Sequence, residues 1–167
     1  PVSFKGLTSG NYFVDIRHRN HLSVRTAVVQ TVNGNVAPTA YDFTTALASA
    51  RDSAANLNNR AMKDLSAGTA WGLWGGNGNG NNSPVATGWK TVRANGGANV
   101  LVNDYTYLVN TGLGGGTAPI TNVYHNADYN MDGTVRANGG ANALVNDYTF
   151  LVNFILGGSS IVITQHQ

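Results

Sequence analysis

From Asn11 to Arg19 the chain reads NYFVDIRHR, with Tyr12, Val14 and Ile16 falling on one side and Phe13, Asp15 and Arg17 on the other. A period of two predicts a strand with two faces. LSVRTAVVQTV, residues 22–32, keeps strand character, and Asn33-Gly34 is a hairpin-turn signal before NVAPTAYDF. The first 45 residues therefore predict antiparallel β-structure, half of a sandwich. Between Thr45 and Asn59 the pattern thins to Ala, Ser and Asn, which predicts a weak helix or an ordered loop. TAWGLW, residues 69–74, predicts a short strand. GGNGNGNNS after it is too rich in Gly and Asn for a regular element.

The second half is organised by a repeat. TVRANGGANVLVNDYTYLVN at 91–110 recurs as TVRANGGANALVNDYTFLVN at 134–153, with Val100/Ala143 and Tyr107/Phe150 the two differences. Each copy ends in a helix-like stretch after Asn-Asp. In the second copy Leu144, Tyr148, Leu151, Val152 and Ile155 recur at spacings of three and four, and Gly157-Gly158 is a stop signal. Two such loop–helix units predict a paired, pseudo-twofold arrangement. The tail SSIVITQHQ has strand character again. Together these elements predict a mainly β chain with short helices (α+β), divided into 1–75 and 76–167.

Composition changes the picture in one respect. Charged residues make up 11% of the chain and every acidic residue is Asp, against roughly 25% charged in an average soluble domain. The Asp positions are therefore informative. A net charge of +2 with no Lys/Arg run argues against a nucleic-acid partner. No apolar run reaches the roughly 18 residues of a membrane span. Absence of Cys excludes thiolate metal sites and leaves the compartment open. With no signal-peptide pattern at Pro1, the sequence reads as a processed or excised piece or as a mature subunit.

ADYNMDGTV begins like a calcium loop. Asp128, Asn130 and Asp132 stand at alternate positions, Gly133 permits a sharp turn, the Thr134 carbonyl stands at position seven, and Val135 is the apolar anchor. Calcium takes six to eight oxygens, which alternate side chains on one turn can supply. Position twelve, where an acid is expected, is Gly139; the next acid is Asp147. Asp147 reads either as a ligand returned by the intervening detour or as a charge favouring a helix start capped by Asn146. In the first copy Val85, Thr87, Trp89 and Lys90 occupy the loop positions and cannot build it. Upstream, Asn77, Asn79 and Asn81 keep the alternate rhythm and with Asp104 would make at best a weak second site; a metal-free loop is the reading preferred.

These strings carry a resemblance. FKGLTSGNYFVDIRHRNHLSVRT, AWGLWGGNGN and NADYNMDGTV…NDYTFLVN resemble the C-terminal region of large extracellular proteins of the Bacteroidetes, over most of the chain; Arg17 to Leu22, RHRNHL, is the most specific part. The resemblance implies a partial antiparallel β-sandwich followed by two dockerin-like loop–helix repeats, bound Ca2+, an extracellular or cell-surface location and no catalytic activity. Family loops commonly continue N-D-R-D, where this chain reads Asn146-Asp147-Tyr148-Thr149.

Other candidates rank lower. His18 and His21 would converge on a metal only if the strand ended between them; a hydrogen-bonded structural cluster is preferred. Trp71, Trp74, Trp89, Tyr105, Tyr107 and Tyr124 could form a sugar-stacking platform, or simply pack. No nucleophile elbow, phosphate loop or acid/base pair is present. The leading expectation is a non-catalytic, calcium-stabilised surface module. The alternatives are a filament subunit that adds its tail to a neighbour's open sheet edge, and a carbohydrate-binding module. A larger surface protein or a glycan would be the partner of the module.

Overall fold

Frequent Gly and Asn keep the strands short, since neither residue holds a strand by side-chain packing. The structure, a computed structural model, describes residues 6–34, 40–51, 61–80, 89–95, 97–100, 103–138, 142 and 144–166. Among them lie ten strands: β1 (Gly10–Tyr12), β2 (Asp15–Ile16), β3 (Val24–Arg25), β4 (Gln30–Val32), β5 (Lys63–Asp64), β6 (Trp71–Gly72), β7 (Trp89–Arg93), β8 (Ile120–Thr121), β9 (Thr134–Val135) and β10 (Val162–His166). They pair into two-stranded antiparallel ladders, β1 with β4, β2 with β3, β5 with β6, β8 with β9 and β7 with β10. Two short helices complete a mixed α+β architecture: α1 (Asp104–Tyr107) and α2 (Asp147–Thr149), each running into a wider helical turn, Leu108–Gly112 and Phe150–Leu156. No closed barrel forms among the described residues.

The single strand expected over NYFVDIRHR is two. The chain changes partner at Phe13-Val14, from β4 to β3, and the Thr26 N–H donates to the Val14 carbonyl at 3.0 Å. Arg25 fixes the second ladder by donating to Asp15 Oδ1 at 2.8 Å, a bond that holds the Asp15 carboxyl below its usual range. Ile16 is left exposed, so the expected apolar face does not stay intact. The stretch from Thr45 keeps one helical turn, Leu47–Ser49; residues 52–60 lie outside the described set, as do 35–39 of the expected third strand, whose residues 40–43 are not extended in a ladder.

Two apolar clusters form. A small one gathers Val24, Ala50, Ala61, Met62 and Trp71. The main one joins Leu22 and Trp74 to Leu108, Tyr129, Val135, Leu151, Ile155 and Ile163. Packing thus crosses the boundary expected near residue 75. Lys63 on β5 crosses it as well, donating to the carbonyls of Phe154 and Ile155 at the end of the second helical segment, where a cation meets the negative end of the helix.

The helix stop is where the sequence places it: Gly157 takes φ +75° and its N–H donates to the Val152 carbonyl. Leu151 and Ile155 are buried, but Leu144 precedes the helix and is exposed. The tail has the strand character its sequence predicts. Val162–His166 is extended, and it pairs along its length with β7 of the same chain, Ile163 opposite Val92, both fully buried. Within the chain it closes the main core as one strand of a two-stranded ladder.

Candidate metal centre

The loop at 128–134 is shaped by its own side chains. Met131 and Gly133 take positive φ, +60° and +82°, so the chain doubles back within a few residues. Asp128, buried, accepts from the Asp132 N–H on Oδ1 and from the Gly133 N–H on Oδ2, both at 3.1 Å. Asn130 Oδ1 accepts from the Asp132 N–H at 3.2 Å, and Asp132 Oδ1 from the Thr134 N–H at 2.8 Å. The three alternate side chains therefore share one turn. Thr134 enters β9 opposite Thr121, and Val135 anchors the loop in the core.

The string RHRNHL docks on this loop. Arg19 donates to Asp128 Oδ2 at 3.3 Å, and its guanidinium lies 3.9 Å from the centre of the Tyr124 ring. Asn20, buried, donates from Nδ2 to the Asp128 carbonyl at 2.6 Å, while its own carbonyl accepts from the Asn77 N–H at 3.0 Å. One residue, through its side chain and its backbone, thus staples together the first positions of both loops. Sequence reasoning singled out the string but gave it no partner, because the partner lies more than a hundred residues away and nothing in local spacing announces it.

Asp147 reaches the loop, as the detour reading expects, but through backbone groups. Its Oδ1 accepts from the N–H of Tyr129 at 2.6 Å and of Asn130 at 3.3 Å, and its Oδ2 from the N–H of Arg136 at 2.8 Å. Asn146 caps α2, accepting from the Thr149 N–H at 3.1 Å. Burial pushes the Asp147 carboxyl up to about 6, with the three N–H groups pulling the other way and Asp128 adding to the rise.

Asp104 repeats this design. It accepts from the N–H of Gly78 and of Arg93, each at 3.0 Å, and from the N–H of Asn79. Gly78, Asn79 and Arg93 hold the places that Tyr129, Asn130 and Arg136 hold around Asp147, so Asn77 and Asn79 occupy the first-loop positions that their rhythm predicts. Asn81 lies outside the described residues. Asp104 is fully buried, which pushes its carboxyl up to about 8 against those N–H groups. The two halves also touch: Tyr129 donates its hydroxyl to the Asp104 carbonyl at 2.8 Å, and the rings of Tyr105 and Tyr148, equivalent in the repeat, lie 4.6 Å apart. A Cβ on Gly78 would stand 2.4 Å from the Tyr129 hydroxyl, so only glycine fits there.

Electrostatically the centre is modest. Among the described residues no three His, Cys, Asp or Glu side chains gather into a metal-holding group; the loop offers two carboxylates and an amide, with Asp147 facing its backbone. Of the aromatic candidates, Trp71 and Trp74 are buried in different clusters, while Tyr124 is exposed. No described helix is long and apolar enough to cross a membrane. Comparison with protein-family models, with curated proteins and with solved structures finds no match.

Proposed function

We propose that the chain is a non-catalytic, calcium-stabilised structural module of an extracellular or cell-surface protein. In this reading the N-terminal ladders belong to a partial antiparallel sandwich, and the C-terminal half consists of two dockerin-like loop–helix units of which the second holds calcium. The observation that carries it is the turn at 128–134. There Asp128 is buried with its carboxylate held by the loop's own N–H groups, and Asn130 and Asp132 stand beside it. The donors are all hard oxygens, the chemistry calcium takes. The matched clamps of Asp104 and Asp147 and the meeting of Tyr105 with Tyr148 support the paired-unit reading.

Asp128, Asn130, Asp132 and the Thr134 carbonyl are the residues assigned to the ion. Bound calcium would supply positive charge between Asp128 and Asp132 and add its binding energy to the folded state alone. Asp147 acts from outside that set by fixing the backbone of Tyr129, Asn130 and Arg136. Arg19 balances the charge of Asp128, and Asn20 sets the loop against its counterpart. In the first unit neutral amides replace the carboxylates, and Asp104 preserves the shape without an ion.

Thermal melting tests this. EGTA lowers the melting temperature, excess calcium restores it, and Asp132→Ala reproduces most of the loss, since that exposed carboxylate otherwise bonds only within its own turn, to the Thr134 N–H and Asn130 Nδ2. A melt indifferent to both EGTA and calcium overturns the assignment.

A further inference from the structure

β2 ends at Ile16, and the chain then turns so that the His21 N–H faces the His18 carbonyl at 3.4 Å. The turn does what a continued strand would not: it brings both imidazoles to one point. Nδ1 of His18 and Nδ1 of His21 are 2.8 Å apart, and Asn20 Oδ1 is 3.1 Å from the first and 2.9 Å from the second. Asn20 is held in this orientation from behind, by its Nδ2 bond to Asp128 and its backbone bond to Asn77.

Hydrogen bonding does not satisfy this triangle well. A proton on one Nδ1 serves one edge or is shared between two, and the remaining edge sets two lone pairs against each other. Protons on both Nδ1 atoms would face each other. A cation at the centre of the face removes the conflict. At bonds of about 2.0–2.1 Å, donors of a tetrahedral shell stand about 3.3 Å apart and cis donors of an octahedral one about 2.9 Å, and the observed edges match the octahedral shell.

We propose that His18, His21 and Asn20 form a site for a divalent cation of the class that prefers imidazole, Zn2+, Co2+ or Ni2+. Nδ1 of each ring and Oδ1 of Asn20 are the protein donors, each ring keeps its proton on Nε2, and water completes the shell. A cavity of about 110 Å3, bordered by Arg17 and Arg19 as well as His18, His21, Ser23 and Asn77, gives those waters room. The nearby guanidiniums are offset: Arg17 lies 3.5 Å from Asp15 and Arg19 3.3 Å from Asp128. Two nitrogen donors set this site apart from the all-oxygen loop, which suits calcium.

Titration of the whole chain with Co2+ in excess calcium tests the proposal, read by visible absorption and by paramagnetic broadening of histidine ring protons. One Co2+ per chain is expected, broadening His18 and His21 and sparing His125. His18→Ala alters an exposed side chain and weakens uptake about tenfold or more, with circular dichroism unchanged. His125→Gln leaves uptake as it was, and because the titration is run in excess calcium it reports this site apart from the calcium loop. No uptake of Co2+, uptake undiminished by His18→Ala, or uptake lost with His125→Gln would each overturn it.

Discussion

His21 decides how part of the molecule answers acid. Its ring is half-buried between His18 and Asn20 with Arg19 nearby, and burial first, then His18 and Arg19, lower its pKa from 6.5 to about 4. Between these values the unfolded chain binds a proton that the folded chain refuses. The stabilisation is therefore complete above pH 6.5 and is lost as pH falls towards 4. Allowing for the part of the ring that water screens, the loss is on the order of 2 kcal/mol. His21→Asn removes this dependence, so the gap in melting temperature between the native chain and the variant narrows from pH 7 to pH 4.5; a constant gap would show that His21 is not held neutral. At this scale the sequence discloses what is local. Asp128, Asn130 and Asp132 are legible because they act within one turn, as are Gly133 and Val135. Arg19 and Asn20 are not, since their role depends on a loop distant in sequence. Asp147 is half legible: its return to the loop follows from spacing, but its choice of N–H groups follows from how the backbone lies.

At the level of elements, the two loop–helix units are held by the same device. Asp104 sits at the start of α1, where a sequence reading sees only a charge near a helix terminus worth about 0.5–1 kcal/mol. The structure gives it more to do, since three backbone N–H groups from Gly78, Asn79 and Arg93 end on its carboxylate in a site closed to water. Stranding buried donors costs about 1–3 kcal/mol each. Asp104→Ala therefore destabilises by about 3 kcal/mol or more in urea unfolding, and Asp104→Asn, which keeps one acceptor oxygen, recovers part of it. A cost within about 1 kcal/mol would return Asp104 to the role of a helix-end charge. The repeat makes both helices and their Asn caps legible, because capping and periodicity are encoded within a few residues. The split of the first strand is not, because it depends on which ladder partner lies opposite each half.

Across the whole molecule, the ladder of β7 with β10 closes the main core. Ile163 and Val92 face each other with no exposed surface to speak of, beside Trp74 and Leu151. Removing residues 159–167 uncovers that cluster, so the shortened chain loses its cooperative melt and binds ANS; Ile163→Ala alone costs about 2–5 kcal/mol. A truncated chain that still melts sharply would make β10 a trailing segment after all. Strand character in SSIVITQHQ is evident from its alternation, whereas its partner is set by topology that alternation does not encode. This ladder also fixes the order of events during synthesis. Val92 and Trp74 leave the ribosome well before Val162–His166, and until that strand arrives the ladder cannot close over them. Closure of the main core thus waits on a strand made long after its ladder partner, and the apolar cluster around Val92 stays open while the intervening chain is translated.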